Sequence, residues 1–155
     1  MQNTKYFELE EILPHKKPMI LIHKVIEYDL AERTLLAEMQ ITADSLFFDS
    51  GLGGVPASFG LEYMAQSVGA FSGIADKETG AAIIVFGFIL GTRKYQNNID
   101  LFYPASYYIA VKEIFNGGEL ACFFSEIKNS AGQAIASAEL NLFKPQDPAK
   151  FIKEH

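Results

Sequence analysis

The sequence predicts an α+β fold. Three observations carry that prediction: two strand-type runs near the N-terminus, one long helical stripe after them, and four further strand-type runs joined mostly by tight turns. Such a chain lays its helix across one face of an antiparallel sheet of about six strands.

Phe7 to Leu13 forms a short amphipathic turn that ends at Pro14. Met19 to Tyr28 opens with an apolar run and then alternates, and Thr34 to Thr42 sets Leu35, Ala37, Met39 and Ile41 against Leu36, Glu38 and Gln40; both read as strands, paired through a turn at Asp29–Arg33. Ser50 to Val55 is glycine-rich and irregular, and Pro56 stands where proline suits a helix start. From Ala57 to Ala75, Leu61, Met64, Val68, Phe71 and Ala75 recur at three- and four-residue steps, which makes one apolar helical stripe. Asp76, Lys77, Glu78 and Gly80 end it. Ala81 to Tyr95 is a nearly continuous apolar run closing on Thr92, Arg93 and Lys94. After a polar loop and Pro104, Tyr107–Phe115, Glu119–Ile127 and Gln133–Phe143 complete the strands, with a hairpin signal at Asn116-Gly117-Gly118 and a turn at Lys128–Gly132.

The chain has 155 residues, 49% of them hydrophobic and 21% charged, enough for one core and too few for two. A single domain over 1–155 is expected, with a frayed polar tail at 146–155. Thirteen Lys and Arg against nineteen Asp and Glu leave a net charge of −6, which disfavours nucleic acid as a partner because phosphate neutralisation needs a basic face. One cysteine, Cys122, excludes an intramolecular disulfide; with three scattered histidines it leaves no metal site to propose. The N-terminal segment has the wrong charge for a signal peptide, and the run Ala81–Leu90 is about half the length of a membrane span. Cytoplasmic residence is the default expectation.

From Ser50 to Ala75 a single charged side chain occurs, Glu62. A helix with one solvated face carries charges along it; this one is expected to be covered by the sheet and by a partner subunit, with Ser58, Ala65, Gly69, Ser72 and Gly73 letting another backbone come close. Glu62 has two readings. It can be a first-turn carboxylate favoured by the helix dipole, or a proton-transfer group with a raised pKa in an apolar cleft. Position alone does not separate them.

The stretch Ile12-Leu13-Pro14-His15-Lys16-Lys17-Pro18-Met19-Ile20-Leu21-Ile22-His23-Lys24-Val25 resembles the opening of the bacterial 3-hydroxyacyl-carrier-protein dehydratases, and Leu61-Glu62-Tyr63-Met64-Ala65-Gln66 resembles the signature of their central helix. Phe47-Phe48, the glycine-rich stretch and Pro56 match the approach to that helix, and Pro104 resembles the proline turn before a later strand. The resemblance covers roughly residues 12 to 145. It implies a hotdog fold, a long central helix wrapped by a curved antiparallel sheet and dimerised edge to edge.

One departure stands out. Members of that family carry Gly-His-Phe-Pro-Gly where this chain reads Phe48-Asp49-Ser50-Gly51-Leu52-Gly53-Gly54, so the histidine is absent, and the Pro-Gly of the helix start is Pro56-Ala57. Together with Gly91-Thr92-Arg93-Lys94-Tyr95, these changes look most like the dehydratase-like subfamily of aryl-polyene biosynthesis clusters.

Dehydrating a 3-hydroxyacyl thioester needs an α-proton removed, the departing hydroxyl protonated and charge on the thioester oxygen stabilised. The resemblance implies that a histidine of one subunit and a carboxylate of the other share the proton work, with backbone N–H groups at the helix start on the oxygen. Glu62 matches the carboxylate and the Pro56–Ala57 region the oxyanion donors, so half of the proton machinery is expected from a histidine-bearing paralogue in a heterodimer. Asp49 or Ser50 beside the missing position is a weaker substitute, since an ionised Asp has no proton to donate. Gln66, Arg93 and Lys94, with Lys16 and Lys17, are candidates for contact with substrate or an acidic carrier protein, and Phe47, Phe48, Phe59, Tyr63, Phe86 and Phe88 for an acyl tunnel or plain core. No cofactor is expected beyond the pantetheine arm of a carrier-protein or CoA thioester. A homodimer, a thioesterase using Glu62 as base or nucleophile, and a non-catalytic stabilising subunit stay open.

Overall fold

The computed structural model describes residues 7–80 and 88–143, and of these the side chains of 88–90 and Arg93 are outside the description. The expected tail at 146–155 and Phe86 therefore lie outside the described residues. A short helical turn α1 (Leu9–Ile12) precedes β1 (Lys24–Asp29) and β2 (Thr34–Ile41). Next come β3 (Val55–Pro56), a 3₁₀ turn (Ala57–Phe59) and the long α2 (Gly60–Glu78). Then follow β4 (Phe88–Asn97), β5 (Leu101–Phe102), β6 (Ala105–Gly117), β7 (Leu120–Lys128) and β8 (Ala134–Phe143). Six strands form one sheet in the order β1-β2-β6-β7-β8-β4, and β3 and β5 form a separate two-stranded ribbon. Every described pairing is antiparallel.

Alternation decides which face meets the helix. Leu35, Ala37, Met39 and Ile41 of β2 are buried while the residues between them are not, and β8 buries Ala136, Ala138, Leu140 and Leu142 in the same way. Successive strand side chains point to opposite faces, so these rows share one side of the sheet. On it lies α2, packed against β2, β6, β7 and β8. Met64, Val68, Phe71 and Ile74 are fully buried there, and Phe71 meets Phe123 edge-on at 5.9 Å. Each such side chain contributes about 1.5–3 kcal/mol on leaving water.

Among the described residues the predicted elements hold, with shifted boundaries; residues 81–87 of the expected run Ala81–Tyr95 lie outside the described residues. The α-helix begins at Gly60 and ends at Glu78; Ala57 belongs to the 3₁₀ turn, and Ile74 rather than Ala75 ends the buried stripe. Met19–His23 stays out of the sheet because Gln66 claims its backbone: the Gln66 amide donates to Met19 O (2.5 Å) and accepts from Leu21 N–H (2.8 Å). Strand pairing starts only where His23 N–H reaches Glu38 O (2.8 Å). The hairpin pairs Gly117 with Leu120, so its turn is Gly118–Glu119, one residue beyond the expected signal, with Gly118 taking the left-handed backbone (φ +62°). The β1–β2 turn is where it was expected: Asp29 Oδ1 accepts from Ala31 and Glu32 N–H (2.9 and 3.0 Å), and Arg33 (φ 61°) reaches across to Glu113 at 2.7 Å.

Of the small residues expected to admit another backbone, Gly73 serves a nearer neighbour. A Cβ at Gly73 would collide with the backbone carbonyl of Ile12, so Gly73 admits the chain's own α1 rather than a partner's backbone. Ser72 is buried.

Candidate active site

The start of α2 is assembled by segments distant in sequence. Pro56 (φ −54°, ψ 138°) leaves the β3–β5 ribbon extended and turns the chain into the helix without needing an N–H partner. The Ala57 N–H donates to Asp100 O (2.9 Å) in continuation of the ribbon. Of the amides around Ala57 expected as oxyanion donors, the N–H of Ala57 itself is thus engaged within the chain. A 3₁₀ turn bonds each N–H to the carbonyl three residues back, so its first internal donor is Phe59. Ser58, between them, is exposed, and its N–H is the donor of the turn with no partner within it.

Four residues on, Glu62 sits in the first turn of α2, where the helix dipole favours a carboxylate. Within this chain Glu62 is exposed, pointing away from the sheet that covers Tyr63, Met64, Ser67 and Val68. Among the described residues no apolar cleft forms around Glu62: sheet and N-terminal segment cover the other faces of the helix. Tyr63 is buried edge-on against Phe102 (5.9 Å), and burial pushes its phenol up to about 12.

Asp49 and Ser50, at the position of the missing histidine, are both exposed. The carboxylate of Asp49 accepts from Leu52 N–H (3.1 Å), its N–H reaches Gly54 O (2.9 Å), and its carbonyl takes Gly53 N–H (2.8 Å). Asp49 thereby closes its own loop. Gln66, a candidate for substrate contact, is 4% exposed with its amide on Met19 and Leu21. Lys94 is exposed on β4 in the left-handed conformation (φ 55°); the side chain of Arg93 lies outside the description. Cys122 is half-buried.

Among the aromatics, Phe47 and Phe59 stack with centroids 4.1 Å apart and planes 9° off parallel. Phe47 holds φ 72°, a strained backbone for a bulky residue. Phe47, Leu46, Tyr63, Ile20, Leu21 and His23 line a groove of about 470 Å³ beside the helix; Glu62 is not in its wall. Among the described residues no His, Cys, Asp or Glu cluster suits a metal ion, and no helix is long and apolar enough to cross a membrane.

Sequence reasoning missed Tyr95. Its hydroxyl donates to Ala57 O, and Gly60 has no Cβ because one there would strike that hydroxyl. A tyrosine in a strand-type run gives no sign of this; the glycine opening the helix is the only trace in the sequence.

Comparison with known proteins places this geometry among relatives. The family model described as ApeP-like, ApeP dehydratase, matches residues 7–153. The 3-hydroxyacyl-[acyl-carrier-protein] dehydratase FabZ of Chlamydia trachomatis is 34% identical over 70 residues, which are 43% of this chain and 46% of that protein. The aligned part thus spans about half the length of that relative. FabZ of Francisella tularensis subsp. novicida is 26% identical over 152 residues, covering 90% of this chain and 93% of that one. Among solved structures, the dehydratase heterocomplex ApeI:P from Xenorhabdus doucetiae superposes with a TM-score of 0.83 at 25% identity, over 96% of this chain and 97% of the other. A hypothetical thioesterase with coenzyme A from Streptococcus pneumoniae (TM-score 0.58, 11% identity, 74% of this chain and 80% of that one) shares the hotdog fold.

Proposed function

The chain belongs to the ApeP-like dehydratase family, and from that premise we propose that it supplies the carboxylate half of an interface active site that dehydrates 3-hydroxyacyl thioesters. The observation that carries this reading is Glu62: one carboxylate, exposed at the dipole-positive start of a helix otherwise held within the chain, in a chain that lacks the family histidine. Carrier-protein thioesters, with CoA thioesters as the close chemical equivalent, are the substrate class; the acyl-carrier-protein dehydratase activity of the FabZ relatives supports the first. The dehydratase heterocomplex ApeI:P supports a second dehydratase-type chain as partner, which in this reading carries the histidine. No cofactor beyond the pantetheine arm is called for, and the setting is the cytoplasm.

In the reaction, the α-proton leaves to a base, the β-hydroxyl departs as water, and the thioester oxygen carries charge in between. Glu62 takes one end of that proton exchange and the partner's imidazole the other; the Ser58 N–H faces the oxygen. Asp49 is spent on its loop and takes no proton.

The test is dehydration of a 3-hydroxyacyl-carrier-protein thioester by the purified chain, by the chain with a histidine-bearing dehydratase from the same source, and by that pair carrying Glu62→Gln. The pair is expected to turn over and Glu62→Gln to lose about 10³-fold. Turnover by the chain alone overturns the shared site. Release of free acid instead of enoyl thioester makes it a thioesterase, and indifference to Glu62→Gln leaves a stabilising subunit.

A further inference from the structure

Strand β4 is the last strand of the sheet order, with β8 on one side and no described strand on the other. Its register against β8 breaks twice, between Ile89 and Gly91 and between Arg93 and Gln96, and the second break bears on the helix start. Arg93 faces Glu139 and Gln96 faces Ser137, so three steps along β4 match two along β8 and one residue is extra. Lys94 fills the irregularity with φ 55°, a conformation a lysine adopts at a cost. Bulges of this kind re-aim a side chain, and the re-aimed one here is Tyr95. The ring leaves the edge strand, passes over Gly60, and its hydroxyl donates to Ala57 O. Burial pushes the Tyr95 phenol up, against a smaller opposing effect of the Asn97 side chain, which keeps the hydroxyl protonated as a donor.

The Ala57 carbonyl accepts a second bond, from Gly60 N–H. With both bonds in place its direction is fixed. A peptide unit is planar and trans, so the carbonyl of Ala57 and the N–H of Ser58 are opposite ends of one rigid plate. Holding one end aims the other, and a donor on the carbonyl polarises the N–H it is conjugated with. We propose that Tyr95 is a positioning residue for the reaction: through Ala57 O it aims and strengthens the Ser58 N–H that meets the thioester oxygen, tying that donor to the edge strand of the sheet. This rests on the dehydratase reading above.

Removing the hydroxyl frees the plate without touching substrate. In the complex with the histidine-bearing partner, Tyr95→Phe is expected to lower kcat about 10-fold, a fraction of what loss of a whole oxyanion donor costs, with KM within about twofold. Backbone amide exchange over 57–60 is expected to quicken while the rest of α2 keeps its protection. Gly60→Ala forces the same hydroxyl aside and is expected to give a similar kcat loss. Because both act on one contact, the double variant is expected to be no worse than Tyr95→Phe by more than about twofold.

An active wild-type pair with unchanged kcat in Tyr95→Phe overturns the role of Tyr95 alone. So does full multiplication of the two losses, or unchanged exchange at 57–60. A wild-type pair that never dehydrates overturns the dehydratase reading, and the catalytic role of Tyr95 with it.

Discussion

The body of α2 and its first turn are one continuous helix under opposite conditions. From Tyr63 to Ile74 the helix is enclosed by its own chain: sheet on one side, α1 against Gly73, and the Met19–Leu21 backbone fastened to Gln66. At Glu62, one turn away, the helix is exposed, as is Ser58 in the 3₁₀ turn before it, and that turn is held from behind by Asp100 and Tyr95. The difference teaches where each kind of work is done. The enclosed stretch spends Gln66 and Ser67 on its own chain, whereas the open first turn leaves the Glu62 carboxylate facing outward.

Substitutions separate the two regions, and the largest effect on folding belongs to the enclosed one. Gly73→Ala drives a methyl into the Ile12 carbonyl, a backbone atom with little room to give, and is expected to cost about 3 kcal/mol in urea unfolding. Gln66→Leu fills similar space but strands the Leu21 N–H and Met19 carbonyl, for about 2 kcal/mol. Both, measured below their melting temperatures, are expected to leave the kcat of the paired complex within about twofold. A kcat loss much larger than that in Gln66→Leu would move Gln66 from scaffold to substrate contact and blur the boundary drawn here.

Asp49 sharpens the boundary from the open side. Asn at 49 keeps the oxygen that accepts from Leu52 N–H, whereas Ala removes it. Asp49→Ala is therefore expected to cost about 1 kcal/mol and Asp49→Asn close to nothing, with the paired dehydration rate retained in the Asn variant. Should Asp49→Asn abolish turnover while folding normally, Asp49 would be the group standing in for the missing histidine.

How much of this was legible follows from the same contrast. The alternation in β2 and β8 and the spacing of Met64, Val68 and Phe71 record burial on regular elements, so sheet, helix and core could be read directly. Glu62 was legible because a lone charge in an apolar helix is conspicuous. What surrounds it was not. The β3–β5 ribbon is two residues long on each side, too short for any periodicity, and the bulge at Lys94 hides inside a strand-type run. That Ala57 N–H is taken by Asp100, and that Gln66 points to Met19 rather than outward, are tertiary choices between groups more than forty residues apart in sequence.

The smallest effect expected concerns His23, at the rim where the enclosed segment meets the groove. His23 Nδ1 accepts from Gln40 N–H (3.0 Å), so the neutral ring carries its proton on Nε2. Partial burial lowers its pKa, and the attraction of Glu38 only partly restores it. A lowered pKa in the folded state means that the unfolded chain binds the proton more readily. The contribution of His23 is then fully present above the ordinary histidine value, about 6.5, and is lost as pH falls through that value to the folded one. Protonating Nδ1 also removes the acceptor of the Gln40 N–H, which acts in the same direction. His23→Gln, which has no titration in this range, is expected to be less stable than wild type at pH 7.5 and to close that gap as the pH approaches 5, read from paired urea curves. A gap that stays constant with pH would show that the ring acts there by packing alone, and a gap that widens toward pH 5 would mean that Glu38 outweighs burial and holds the ring charged.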